Sequence, residues 1–247
     1  MTKKLQSNIK KKKRVFNPSQ DNENWQELFD TQFNNLQSKN AISKIWINGL
    51  SKLGINNEIM PTAIELTEIS KKYTGYTFIQ TQESIIVEQI DWYRSISRYE
   101  MPISCFLRTP EELSYCDEPD NWHEIIGHIP FLMDKEYSDM YQNLARLYIE
   151  NYESKNDSKL KVADFLGGMI IELGLIKEQG VLRAFGVTLY SSSGELERAY
   201  EITNQKIFTP EAVEQEKGYE RSDFQNTYYI IESIEQINDL INKTRNS

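Results

Sequence analysis

The stretch EPDNWHEIIGHIPF, residues 118–131, holds both histidines of a 247-residue chain, His123 and His128. Imidazole is the commonest metal ligand and titrates near neutral pH, so a pair set among acidic residues points to chemistry more than to satisfied core histidines. HEIIGH departs from the HExxH pattern, in which two imidazoles one helical turn apart bind zinc, because the fourth residue after His123 is Gly127. On a regular helix, residues five apart point about 140° away from each other. One ion reaches both rings only where the helix ends or distorts, and Gly127 and Pro130 sit where that break is wanted. With no third histidine, a three-histidine zinc site is excluded. A di-iron carboxylate bundle asks for two ExxH units, and Ile125 stands three before His128. Two imidazoles and one carboxylate remain, the facial set that leaves positions open on ferrous iron for oxygen and a co-substrate.

The third ligand should be an acid carried inward by an apolar element. In VADFLGGMIIELGLI, Val162, Phe165, Leu166, Met169, Leu173 and Ile176 form a helical stripe, and Glu172 falls near the bearing of Phe165 and Met169. A buried, unpaired carboxylate costs several kcal/mol unless a metal or hydrogen-bond network compensates it. A glutamate on the helix flank paired with Lys177 or Arg183 meets the same spacing.

The elements that must position these groups read as mainly α with minor short strands. WQELFDTQFNNL places Trp25, Leu28, Phe29, Phe33 and Leu36 on one stripe, and AISKIWINGLSKLG repeats the pattern up to Gly54. Pro61 precedes a third helix with Gly75 at its end, YTFIQTQ alternates as a strand, WYRSISRYE returns to helix, and MPISCFLR is extended. PEEL opens a helical turn. Residues 136–152 and 160–177 are long helical candidates, and SIEQINDLINK is a terminal amphipathic one.

Composition bounds the rest. At 39 % hydrophobic residues the chain can bury one sizeable core, and no apolar run reaches the roughly 18–20 residues of a membrane span or resembles a secretory signal. The net charge of -9 argues against a general nucleic-acid role. Cys105 and Cys116 read as free thiols, in keeping with a cytoplasmic protein. The cations Lys10–Arg14 lie in a polar opening, so residues 1–20 read as a basic tail and 21–247 as a single domain.

EPDNWHEIIGHIPFLMDKEY, FLRTPEELSYCDEPD, IIELGLIKEQGVLRAFG, YSSSGEL and YERSDFQNTYYIIESIEQI resemble, in order and spacing, successive blocks of the tetrahydropterin-dependent aromatic amino acid hydroxylases, most closely the bacterial phenylalanine 4-hydroxylases. The likeness runs from about Trp25 to the C-terminus. It implies an aromatic amino acid hydroxylase-type catalytic domain and a monooxygenase that uses Fe(II), a tetrahydropterin such as tetrahydrobiopterin, and O2 as co-substrate. The resemblance implies His123, His128 and Glu172 as the iron ligands. It places Trp92, Val87 and Glu124 beside the pterin. Arg108 matches the arginine that holds the substrate's carboxylate and Asp120 the aspartate that orients it through a bidentate pairing; Cys116, Pro119, Gly168 and Ser191 fall on the substrate side. Ser191 and Glu195 match positions that brace the site from behind the ligands. Trp92 stands where the family has a phenylalanine that stacks on the pterin, and an ordinary helix-core tryptophan fits there too.

The departures are specific. Gly167 and Gly168 replace aromatic residues, one of them a substrate-contacting tryptophan; Phe185 and Thr188 stand where Tyr and Gly are expected, and Ile85 where a Gly is usual. Missing side chains next to Glu172 imply either room for a larger substrate, such as tryptophan, or a core refilled by Met169 or a neighbouring aromatic. The animal enzymes' regulatory domain and tetramerisation helix have no counterpart here, so a monomer is expected. Two functions are carried forward: a hydroxylase acting on phenylalanine or a related aromatic amino acid, and a non-catalytic, metal-stabilised relative that binds a ligand in an altered pocket.

Overall fold

Helix α1, Pro18–Ser38, buries Trp25, Leu28 and Leu36 with Phe29 and Phe33 half-buried beside them, the stripe that the spacing predicts. The computed structural model describes residues 18–81, 88–215 and 223–247. The helical domain therefore includes Pro18, inside the segment that the sequence assigns to the tail. The basic run Lys10–Arg14 and the loop positions Ile85 and Val87 lie outside the described residues.

Helix α2, Lys44–Leu53, ends at Gly54, whose φ of 67° lets its amide turn back onto the last carbonyls. Helix α3, Ala63–Ser70, begins at a reciprocal cap between Thr62 and Glu65. Strand β1, Thr77–Gln80, follows and pairs in parallel with β2, Glu100–Ile103, across helix α4, Gln89–Ser97. A short 3-10 turn at Pro110–Glu112 leads to a π-helical turn, His123–His128, which runs into α5, Ile129–Leu132. The long helix α6, Lys135–Ser154, packs on α4 and on α7, Asp157–Phe165.

The sequence pattern predicts one helix over 160–177, and here the structure differs. Helix α7 stops at Phe165, a second π-helical segment spans Leu166–Glu172, and Leu175–Glu178 is strand β3. Periodicity alone cannot separate a short, fully buried strand from the end of an apolar helix. The decisive signal is the two-residue turn at Gln179 and Gly180, both at positive φ (52° and 78°), which folds β3 back onto β4, Val181–Ala184. Helices α8, Val187–Ser191, and α9, Ser193–Ala199, come next. Strand β5, Gln205–Ile207, helix α10, Ala212–Gln215, strand β6, Tyr228–Ile231, and helix α11, Ile234–Asn246, complete the described chain. The second sheet has the order β4-β3-β6-β5, antiparallel only at the hairpin.

Trp46 of α2 ties the layers together. Its Nε1–H donates to the Ile126 carbonyl at 2.8 Å, inside the first π turn, and its ring stacks on Tyr190 of α8 at 4.4 Å. A mainly helical frame with two small sheets thus clamps one irregular helix between α2 and α8. No helix among the described residues is long and apolar enough to cross a membrane.

Candidate active site

The break that the five-residue spacing demands is a π turn. Hydrogen bonding from i to i+5 widens the helix by one residue per turn, so positions five apart come onto one side. His123 and His128 face each other with ring centroids 5.0 Å apart. Asp120 anchors the turn's start: its Oδ1 accepts from the His123 amide at 3.0 Å and its carbonyl from the Glu124 amide at 3.0 Å. Gly127 has a packing role. A Cβ there would lie 2.8 Å from the Val187 carbonyl oxygen, so only glycine lets α8 approach this closely.

Glu172 ends the second π segment and turns towards the imidazoles, Oε1 at 3.5 Å from His128 Nε2 and Oε2 at 3.8 Å from His123 Nε2. The alternative pairing does not form: Lys177 binds Glu232 at 3.0 Å and Arg183 binds Asn40. The ligating atoms of the three residues all lie within 4.8 Å of one another. Burial, reinforced by the positive charge of Arg108, pushes His123 down to about 3. Burial likewise holds His128 well below the usual histidine range, with His123 adding to it. Both rings are therefore neutral at physiological pH, and their contacts with Glu172 are not ion pairs.

Ser191 is placed to choose the tautomer. Its Oγ lies 2.9 Å from His123 Nδ1 and within 3.4–3.5 Å of the Thr188 and Val187 carbonyls of its own helix. With the hydroxyl proton on either carbonyl, the oxygen accepts from Nδ1–H, the tautomer that leaves Nε2 bare towards Glu172. Two neutral nitrogen ligands and a carboxylate converging on one point suit a divalent cation with nitrogen and oxygen preference, ferrous iron among them.

Arg108 and Asp120 form the second feature. Arg108 is 3 % exposed and Asp120 fully buried. Nε lies 3.0 Å and Nη2 2.7 Å from Oδ1, while the Arg108 amide donates to Oδ2 at 2.6 Å. Burial disfavours the cation, but the charge of Asp120 and its hydrogen bonds hold the guanidinium's pKa above its ordinary value. Nη1 donates to the Ser191 carbonyl at 2.9 Å, which also accepts from Trp122 Nε1 at 3.0 Å. Asp120 thus fixes both the guanidinium and the helix that carries His123.

Arg108, Ser191 and the three candidate ligands line one cavity of about 720 Å³, within the range of small-molecule sites. Trp92 stands against His128, ring centroids 5.3 Å apart, its Nε1–H donating to the Tyr141 hydroxyl at 2.8 Å. Glu124 is buried, its Oε2 without a hydrogen-bond partner among the described residues, and burial, then the charges of Glu172 and Asp120, raise its pKa well above the carboxylate range. Cys116 and Pro119 also line the cavity, the thiol donating to the Glu118 carbonyl at 3.3 Å.

Both paired glycines line the cavity. A Cβ on Gly167 would fall 2.2 Å from the Tyr93 hydroxyl, so a neighbouring aromatic takes the space beside that one. Glu195 is buried at the cavity wall; among the described residues it accepts from the Tyr228 hydroxyl and, at 3.3 Å, the Gln225 amide, and it touches none of the three ligands.

A family model for the biopterin-dependent aromatic amino acid hydroxylases matches residues 7–246. The chain belongs to this family. It is similar to the phenylalanine-4-hydroxylase of Ralstonia nicotianae, 27 % identical over 224 residues that cover 89 % of this chain and 68 % of that one. It is 29 % identical to that of Mesorhizobium japonicum, over 87 % of this chain and 76 % of the relative. Among solved structures, phenylalanine hydroxylase from Legionella pneumophila superposes with a TM-score of 0.78 at 25 % identity, covering 95 % of this chain and 96 % of the other. The Chromobacterium violaceum enzyme, solved with iron(III) and 7,8-dihydrobiopterin, shares the fold with a TM-score of 0.78 at 21 % identity, over 92 % of this chain and 82 % of that one. This aromatic amino acid hydroxylase is accordingly a biopterin-dependent enzyme.

Sequence reasoning left two groups of the hydroxylase's site without a role. Thr188 donates to Glu172 Oε2 at 2.8 Å; its place three residues before Ser191, on the same helical face, was the available signal. Tyr93 left none, because its contact with Gly167 joins α4 to a distant segment.

Proposed function

We propose that this hydroxylase binds iron through His123, His128 and Glu172 and, with a tetrahydropterin and O2, hydroxylates the ring of free phenylalanine. What carries the reading is the meeting of two neutral imidazoles and one carboxylate in the cavity that Arg108 and Trp92 also line. Iron and a reduced pterin supply the two-electron activation of dioxygen. The chain's own residues bind and orient. Ser191 keeps His123 Nε2 free for the ion. Of five guanidinium N–H groups, Arg108 commits some to Asp120 and Ser191 and keeps the rest for a substrate carboxylate. Trp92, held by Tyr141, offers a flat face for the pterin, and Glu124 an oxygen for one of its ring N–H groups. Cys116 and Pro119 wall the substrate side, and Glu195 braces that wall through Tyr228.

Gly168 favours a second substrate reading. It contributes no side chain to the wall, so an indole is the alternative to a phenyl ring. We take the protein to act as a cytoplasmic monomer, in keeping with its two free thiols; gel filtration tests the monomer.

The deciding experiment loads the protein anaerobically with Fe(II), adds tetrahydropterin and then air with phenylalanine, tyrosine or tryptophan, and reads the products by mass spectrometry. Tyrosine formed from phenylalanine supports the reading, hydroxytryptophan as the main product moves it to the indole, and pterin oxidation with no hydroxylated amino acid overturns both. Glu172→Ala should abolish turnover.

A further inference from the structure

We infer that Thr188 is a positioning residue for Glu172, claiming one carboxylate oxygen with its hydroxyl so that the other is presented to the metal ion. The inference rests on the proposed ligand set of His123, His128 and Glu172. A carboxylate can only accept, so the 2.8 Å contact between Thr188 Oγ1 and Glu172 Oε2 has the threonine as donor. Of the two oxygens, Oε2 lies 3.8 Å from His123 Nε2 and Oε1 3.5 Å from His128 Nε2. The hydroxyl occupies a lone pair of Oε2, and Oε1 is the oxygen directed at His128.

A carboxylate with both oxygens free can swing to grip an ion with two bonds, filling a corner of the coordination sphere. Tethering Oε2 opposes that swing and keeps the corner open for a co-substrate. The tether is held from outside both π segments. Thr188 and Ser191 sit three apart on α8, so one helical turn braces Glu172 through the first and His123 through the second. That turn stays close because Gly127 presents no side chain to Val187. The resemblance to the family leads one to expect a glycine at position 188, which could make no such bond.

The test is a Co(II) titration of the metal-free protein, with affinity from competition against a chromophoric chelator and coordination number from the Co(II) visible absorption, for the parent, T188S, T188V and E172A. T188V, nearly isosteric but without the hydroxyl, should bind Co(II) about 10–100-fold more weakly, the usual cost of losing a hydrogen bond behind a metal ligand. Its absorption should lose intensity as the freed carboxylate adds a bond and raises the coordination number. T188S, which keeps the hydroxyl, should match the parent in both. Parent-like affinity and spectrum in T188V overturn the inference, as does an equal loss in T188S, which would make the side chain's packing responsible. The ligand reading fails separately: if the parent binds no Co(II), or E172A binds it as tightly as the parent, the site itself is refuted and the role of Thr188 with it.

Discussion

Gly167→Ala tests whether the glycine pair is a repacked core or empty space. The added Cβ would lie 2.2 Å from the Tyr93 hydroxyl oxygen and 3.5 Å from Cζ, so the clash is with one atom. Tyr93 cannot swing aside freely, because it is 3 % exposed and its ring stacks on Tyr148 with centroids 4.3 Å apart. Overpacking of this kind costs about 1–3 kcal/mol. In a chain of this size that is a fall in Tm of about 2–4 °C per kcal/mol. Tyr93→Phe alone gives up the hydroxyl's hydrogen bond to Gln89, about 0.5–1.5 kcal/mol. In the Tyr93→Phe background the nearest atom to the new Cβ is the ring carbon at ordinary contact distance, and alanine gains up to about 1 kcal/mol over glycine in helical backbone. Gly167→Ala should therefore be costly in the parent and neutral or stabilising in Tyr93→Phe, a coupling of about 1–3 kcal/mol. Urea unfolding of the four proteins in chelator, at constant m-value, measures it without a contribution from metal binding. Additivity within about 0.5 kcal/mol would refute the reasoning.

Two further outcomes follow from buried groups. Burial lifts Glu195 above its ordinary pKa, although the hydrogen bonds from Tyr228 and Gln225 pull it back. Between the unfolded-state value of about 4.3 and the raised native one, the native state binds more protons than the unfolded chain, so this group's contribution to stability declines as pH rises. The deficit of Glu195→Gln relative to the parent should accordingly narrow between pH 4 and 7 in urea midpoints, and a widening deficit would contradict the assignment. Trp92→Phe removes the bond to Tyr141 and should lower stability by about 0.5–1.5 kcal/mol while keeping a ring against His128. Trp92→Ala removes the platform and should raise the KM for pterin; an unchanged pterin KM would take Trp92 out of the cofactor's surroundings.

The sequence by itself determined the histidine pair, the demand for a helical distortion between its members, and the candidacy of Glu172. These are readings of residue type and spacing, and spacing constrains direction wherever the backbone is locally regular. It also determined the helical frame: the α1 stripe, the glycine end of α2 and the capped start of α3 follow from local rules that hold without knowledge of neighbours. The family blocks carried Arg108 and Asp120 to their places, and the structure pairs them.

Only the tertiary structure decided the form of the distortion and what it faces. A π turn and a broken helix with the same residues read alike in one dimension, and α2 and α8 must dock on His123–His128 before its side chains take a common direction. The end of the helix at Glu172 was hidden for the same reason, since β3 is apolar enough to continue the stripe and becomes a strand through its pairing with β4 and β6. Whether Glu172 joined Lys177, Arg183 or the imidazoles depended on the directions of three segments that no spacing rule connects, as did the meeting of Tyr93 with Gly167 and of Thr188 with Glu172. Non-local contacts of this kind are settled by packing, which a linear pattern does not encode.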